Sequence, residues 1–183
     1  MTLVKDTSLN IRIAFHFLKL SEETAMLNTL YKKQILNSDI STVWEFMSSP
    51  KNLATITPEY MGFEILNDPG AKMYAGQIIE YYVKPVFGIK LHWVTEITHV
   101  KENEFFVDEQ RIGPYNFWHH KHILKPVDKG IEMIDLIHYK VPLGFIGNIA
   151  NRLFVKKQLN DVFNYRYEKL EKIFNSNENK KNH

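Results

Sequence analysis

From residue 60 to residue 141 the chain runs as strand-like segments separated by turn residues, and from residue 145 to residue 174 it switches to helical spacing. Residues 60–66 close on Asn67-Asp68-Pro69-Gly70, residues 77–83 on Pro85 and Gly88, and residues 90–100 on Lys101-Glu102-Asn103. Residues 104–111 end at Gly113-Pro114, 115–124 at Asp128-Lys129-Gly130, and 131–141 at Pro142-Leu143-Gly144. Five or six strands with short connections predict an antiparallel meander. In the helical part Ile146, Ile149, Ala150 and Leu153 form one apolar stripe, and Leu159, Val162, Phe163, Leu170 and Ile173 form another. Lys156-Lys157 lies between them, so a bend or a drift of the stripe is expected there. A helix of that span is roughly 45 Å long, enough to cross the concave face of a curved sheet. The space between such a sheet and helix is the natural place for a ligand.

Ahead of the meander, residues 29–36 read as a first strand. Asp39 can cap a helix that carries Ile40, Val43, Trp44 and Met47 on one face and stops at Ser48-Ser49-Pro50. Residues 52–58 read as a connector. Residues 1–26 contain apolar side chains without clear period and read as an extension. It is either native or added by an upstream start, and the second is favoured. The polar stretch 175–183 reads as a disordered tail.

The bulk properties narrow the classes. A length of 183 residues suits one domain, here expected over 27–174, with 44% hydrophobic residues and 24% charged. There is no cysteine, which rules out disulfides, thiolate metal sites and cysteine nucleophiles and is compatible with a cytoplasmic location. A net charge of +2 gives no reason to expect nucleic acid as a partner. No run of about twenty apolar residues marks a membrane span. Aromatic residues make up 13% of the chain, enough to fill a core and also to line a cavity.

The local wording adds a resemblance. Phe106-Val107-Asp108-Glu109-Gln110, Gly113-Pro114-Tyr115 and Trp118-His119-His120-Lys121-His122 are followed by Asp135, Tyr139, Pro142-Leu143-Gly144, Gly147 and Phe163-Asn164-Tyr165-Arg166. With the element order, these resemble the SRPBCC superfamily, of START and Bet v 1 type, over residues 27–174. Within it they look like a bacterial subfamily labelled polyketide cyclase/dehydrase-like, ligand-binding or cell-division-inhibitor-like. The resemblance implies an α+β helix-grip fold, a curved antiparallel sheet wrapped around a long C-terminal helix. It transfers no catalytic residue, and the fold hosts many unrelated roles.

Candidate site residues follow from strand alternation. His120 and His122 share a face with Trp118, while His119 points the other way. Asp108 and Asp135, on neighbouring strands, can join the two histidines. The set suits a hydrogen-bonded polar patch, an acid–base pair, or two ligands and a carboxylate for zinc or iron. The patch is the expected arrangement, with no metal and no cofactor. Trp93, Thr95 and Ile97 share one face, as do Ile78, Glu80 and Tyr82; with Phe63, Ile65, Trp118, Leu159 and Phe163 they are candidates for the cavity wall. Arg152, Lys156 and Lys157 read as a solvated helix face, with a phospholipid or acidic partner as the livelier alternative. Gly144 and Gly147 give the helix room to start near the last strand.

The expected function is binding or transport of a small hydrophobic molecule such as a lipid, isoprenoid or polyketide-like compound. Asp108, His120, His122 and Asp135 would orient it. A cyclase or dehydratase using the same residues is the first alternative, and an interaction protein affecting cell division the second.

Overall fold

The computed structural model describes residues 26–85 and 88–176. The expectations for the first residues and for the tail therefore lie almost wholly outside the described part. Asn175 itself is held: its side chain accepts from the Asn37 backbone N–H and donates to the Ile35 carbonyl.

Strand β1 (Asn28–Leu36) leads to helix α1 (Ile40–Met47) and two short 3-10 turns, Pro50–Leu53 and Glu59–Met61. Strands β2 (Glu64–Ile65), β3 (Gln77–Val83), β4 (Leu91–Lys101), β5 (Phe105–Ile112), β6 (Phe117–Val127) and β7 (Gly130–Lys140) follow. They form one seven-stranded antiparallel sheet in the order β1-β7-β6-β5-β4-β3-β2. The meander therefore pairs neighbour with neighbour, and β1 returns to close the far edge on β7. Two register shifts between β4 and β5, at Val94/Thr95 and Ile97/His99, add local twist and help the sheet curve.

Helix α1 begins where Asp39 Oδ1 accepts the Thr42 backbone N–H at 2.9 Å. It buries Val43, Trp44 and Met47, as its spacing predicts. Of the strand expected over 60–66, Glu64–Ile65 forms the ladder with β3, and the Leu66 N–H still donates to the Glu80 carbonyl at 2.8 Å. Residues 59–61 turn instead, because Gly62 takes a left-handed conformation (φ 51°).

The last 32 residues of the described helical part, 144–175, run as α2 (Gly144–Ala150), a π-turn (Asn151–Val155), α3 (Lys156–Leu170) and a second π-turn (Glu171–Asn175). The irregularity expected near Lys156-Lys157 is the first π-turn, whose extra residue rotates the face that follows. α3 buries Leu159, Phe163, Arg166 and Leu170 against the sheet. α2 differs from its expected stripe: Ile146 is 68% exposed, and Ile149 and Leu153 also face outward. Gly144, Gly147 and Asn151 are the buried positions. A side chain on Gly147 would run into the Pro142 carbonyl, so the missing Cβ lets the helix start against the end of β7. Asn151 then accepts from the Tyr139 hydroxyl at 3.1 Å and donates to Asn28 Oδ1 at 2.8 Å.

The fold is the α+β helix-grip arrangement. Among the described residues no helix is long and apolar enough to cross a membrane.

Candidate functional site

Strand register assembles the site. Asp108 on β5 stands opposite His120 on β6, and His122 stands opposite Asp135 on β7. All four lie on the face toward the long helix, which contributes Arg166. His120, His122, Asp135 and Arg166 are buried, and Asp108 is nearly so.

The contacts form a closed network. Asp108 Oδ2 lies 2.9 Å from His122 Nε2 and 3.2 Å from His120 Nδ1, while its Oδ1 accepts the Trp118 indole N–H at 3.2 Å. Asp135 Oδ1 lies 3.0 Å from His120 Nε2 and 3.2 Å from Arg166 Nη1. It is also 3.0 Å from His122 Nδ1, but that nitrogen makes no hydrogen bond of acceptable geometry. Rings brace the histidines: Phe106 stacks on His122 with centroids 4.0 Å apart, and the Phe163 ring meets His120 edge to face at 5.4 Å.

Charge follows from this geometry. Burial acts most strongly against ionising Asp135, but the Arg166 guanidinium and the histidine hydrogen bonds overcome it and hold the carboxyl well below its usual range. Asp108 is likewise pushed down, its desolvation outweighed by the charge and hydrogen bonds of His120 and His122. Burial also opposes a charge on His120, yet the two carboxylates it bridges win and raise its pKa. His120 therefore lies between two carboxylates, hydrogen-bonded through Nε2 to Asp135 and at ion-pair distance through Nδ1 from Asp108, an arrangement that favours its charged form.

Two cavities flank this network. One, of about 100 Å³, lies beneath α1 and the 3-10 turn after it, and its wall includes Phe46, Ile56, Ile79, Ile97, Asp108 and His122. The other, of about 110 Å³, lies between the sheet and α3, with Phe63, Trp93, Trp118, Leu159 and Phe163 in its wall. Leu53, Tyr81 and Arg166 border both.

The predicted wall residues separate accordingly. Trp93, Thr95, Ile97, Trp118, Leu159 and Phe163 are on the inner face, and Phe63 packs its ring 4.7 Å from that of Tyr81. The Thr95 hydroxyl is already engaged, accepting the Trp93 indole N–H at 3.0 Å and meeting the Tyr81 hydroxyl at 3.1 Å. Ile65 borders neither cavity. Ile78 and Tyr82 are corrections: Ile78 is 43% exposed, and Tyr82 lies outside with His92 and the Lys90 ammonium over its ring. Glu80 is outside too, 2.7 Å from His92. The inner residues of β3 are Gln77, Ile79, Tyr81 and Val83. Gln77 takes an inner position because its side-chain amide is satisfied by backbone carbonyls, Pro69 among them. Ile79 and Tyr81 are not among the sequence candidates, and Arg166 enters there only through the resemblance, without a role in the site. For Arg166 a signal exists: it continues the Leu159–Phe163 stripe, so a cation falls on the buried face of the helix.

No protein-family model and no curated protein sequence matches the chain. Solved structures do. A Chromobacterium violaceum protein superposes with a TM-score of 0.61 at 14% identity, covering 82% of this chain and 99% of that one. Ginseng major latex-like protein 151 from Panax ginseng gives 0.61 at 13% identity, over 81% and 98%. A Thermus thermophilus protein gives 0.60 at 16% identity, over 79% and 95%. These likenesses define the class as the Bet v 1-like helix-grip fold. At such identities they establish the fold alone.

Proposed function

We propose that this chain binds a small, largely apolar molecule between its sheet and its long helix, as a carrier or binding protein. The observation that carries this reading is the pair of adjoining cavities with mostly apolar walls, both bordered by Arg166. Burial of apolar surface supplies the driving force, and the few polar groups set orientation. His122 Nδ1 and Arg166 Nε are buried without hydrogen-bond partners among the described residues. Leaving a buried polar group unpaired costs about 1–3 kcal/mol, so a guest with an oxygen-bearing end gains by meeting Arg166. Each cavity is small against the ~300 Å³ lower bound of ligand pockets, which favours a slender guest reaching into both.

Trp93 and Trp118 line the wall and report occupancy. Titration with graded fatty acids, isoprenoid alcohols and flat aromatic ketones is expected to give saturable, one-to-one quenching of tryptophan fluorescence for at least one class. No saturable response across the set would overturn the reading.

A second reading is acid–base chemistry of cyclase or dehydratase type. It is favoured by one observation, the Asp108–His122 pair bordering the cavity beneath α1 at 2.9 Å. Turnover of a bound compound that disappears in His122→Ala while binding persists would select it.

A further inference from the structure

Three ligand-type atoms converge at the polar end of the cavity. Asp108 Oδ2 is 3.2 Å from His120 Nδ1 and 2.9 Å from His122 Nε2, and single donor atoms of the three residues all lie within 4.8 Å of one another. Around zinc, ligand bonds of about 2.0–2.1 Å in tetrahedral geometry set neighbouring donors about 3.4 Å apart. The two distances from Asp108 fall a few tenths of an ångström short of this. With the three donor atoms within 4.8 Å of one another, side-chain rotation that opens the Asp108 contacts and sets the two imidazole nitrogens about 3.4 Å apart would admit an ion without any change of strand register.

The surroundings match what a metal centre needs. The far nitrogen of His120, Nε2, is hydrogen-bonded to Asp135 Oδ1 at 3.0 Å; the far nitrogen of His122, Nδ1, is equally near that oxygen but makes no hydrogen bond to it. A carboxylate behind a ligating imidazole fixes its tautomer and aim. Arg166 touches that same oxygen at 3.2 Å and offsets its charge, without hydrogen-bonding Asp108. The Trp118 indole holds Asp108 Oδ1, leaving Oδ2 for the ion. Phe106 and Phe163 wall the two rings, and Asp108 and His122 border the cavity beneath α1.

We propose that Asp108, His120 and His122 form a site for a borderline divalent transition ion, zinc or iron(II), with Asp135 orienting His120 through its Nε2 and the remaining coordination open to the cavity. Two imidazoles and one carboxylate suit such ions, whereas magnesium and calcium prefer oxygen ligands. The inference departs from the sequence expectation of a metal-free patch. In the ion-free protein the same groups make the ion-pair network described above, and the ion replaces the protons on His120 Nδ1 and His122 Nε2. The site does not depend on the apolar guest, since an ion would bind equally to a protein whose cavities hold only water.

The test uses the full chain, stripped with a chelator, dialysed, and titrated with cobalt(II) and then zinc(II). The expected result is one equivalent of cobalt with the visible d–d bands of a low-symmetry nitrogen–oxygen site, displaced by zinc. His122→Ala and Asp108→Asn should each weaken binding by about 100-fold or more, and Asp135→Asn by about 10–100-fold. His119→Ala, on the outer face, should bind like the wild type. Absence of saturable cobalt binding by the wild type, or undiminished binding by folded His122→Ala, would overturn the proposal. The wild-type spectrum needs no variant, so a misfolded mutant does not prevent a decision.

Discussion

Asp108 stands directly opposite His120 across the β5–β6 ladder, and its Oδ2 reaches that histidine's Nδ1 at 3.2 Å. The pairing joins backbone register to side-chain chemistry. A slip of one residue would send His120 and His122 to the outer face and bring His119 and Lys121 inward. The charged network therefore specifies the alignment of β5, β6 and β7 as well as furnishing the polar end of the cavity.

Arg166 is the group that balances this network from the helix. Arg166→Met should destabilise the protein by about 3–5 kcal/mol, because Asp135 is left buried without its guanidinium. Adding Asp135→Asn to that variant should recover part of the loss. Urea unfolding of the two single variants and the double variant measures the coupling, and simple additivity would show that the pair does not act as one unit.

The cavity between the sheet and α3 can be filled from the helix. Leu159→Trp replaces a branched aliphatic side chain with a bulkier indole in that cavity and should abolish quenching-type binding of an apolar guest. Overpacking costs about 1–3 kcal/mol, so the fold should survive. Circular dichroism melting alongside the binding titration separates the two effects. Unchanged affinity in the variant would place the guest elsewhere.

Gly147 and Ile149 test which face of α2 meets the sheet. Gly147→Ala adds one methyl group against the Pro142 carbonyl and should cost about 1–3 kcal/mol. Ile149→Ala removes three carbons from a side chain 45% exposed and should stay within about 0.5 kcal/mol. The opposite ranking, measured by denaturant midpoints, would put the apolar stripe of α2 in the core.

Much of the fold was legible because its signals are local and repeated. Turn residues at each strand end, the Asp39 cap and the long helical period prescribe the order of elements. Alternation in Trp118, His120 and His122 sets their shared face. β3 lacks that signal, since Ile78-Ile79 and Tyr81-Tyr82 put like residues on both parities. Its face is decided by partners distant in sequence: Tyr81 meets Thr95 inside, and Tyr82 meets His92 outside. The inward Arg166 and the outward Ile146 have the same cause. Helical spacing gives a face, but the sheet, the glycines at the helix start and the π-turn decide which way it points.

Acid dependence of α1 follows from its cap. Hydrogen bonds from the Thr42 hydroxyl, and then from its backbone N–H, lower the Asp39 pKa below its unfolded value of about 3.9. The cap therefore contributes stability above the unfolded pKa and loses it as pH falls through the folded one. Asp39→Ala should lower stability near neutrality and flatten the acid limb of the stability–pH curve. Parallel curves for wild type and variant would contradict the role.

Enclosure of a guest between helix and sheet is directly measurable. Native mass spectrometry of gently purified protein weighs the chain with whatever it holds. The expected spectrum carries the added mass of one small organic molecule, lost on denaturation and reduced in Leu159→Trp. A clean unliganded mass that stays unliganded after incubation with the full apolar probe set would contradict enclosure of a guest.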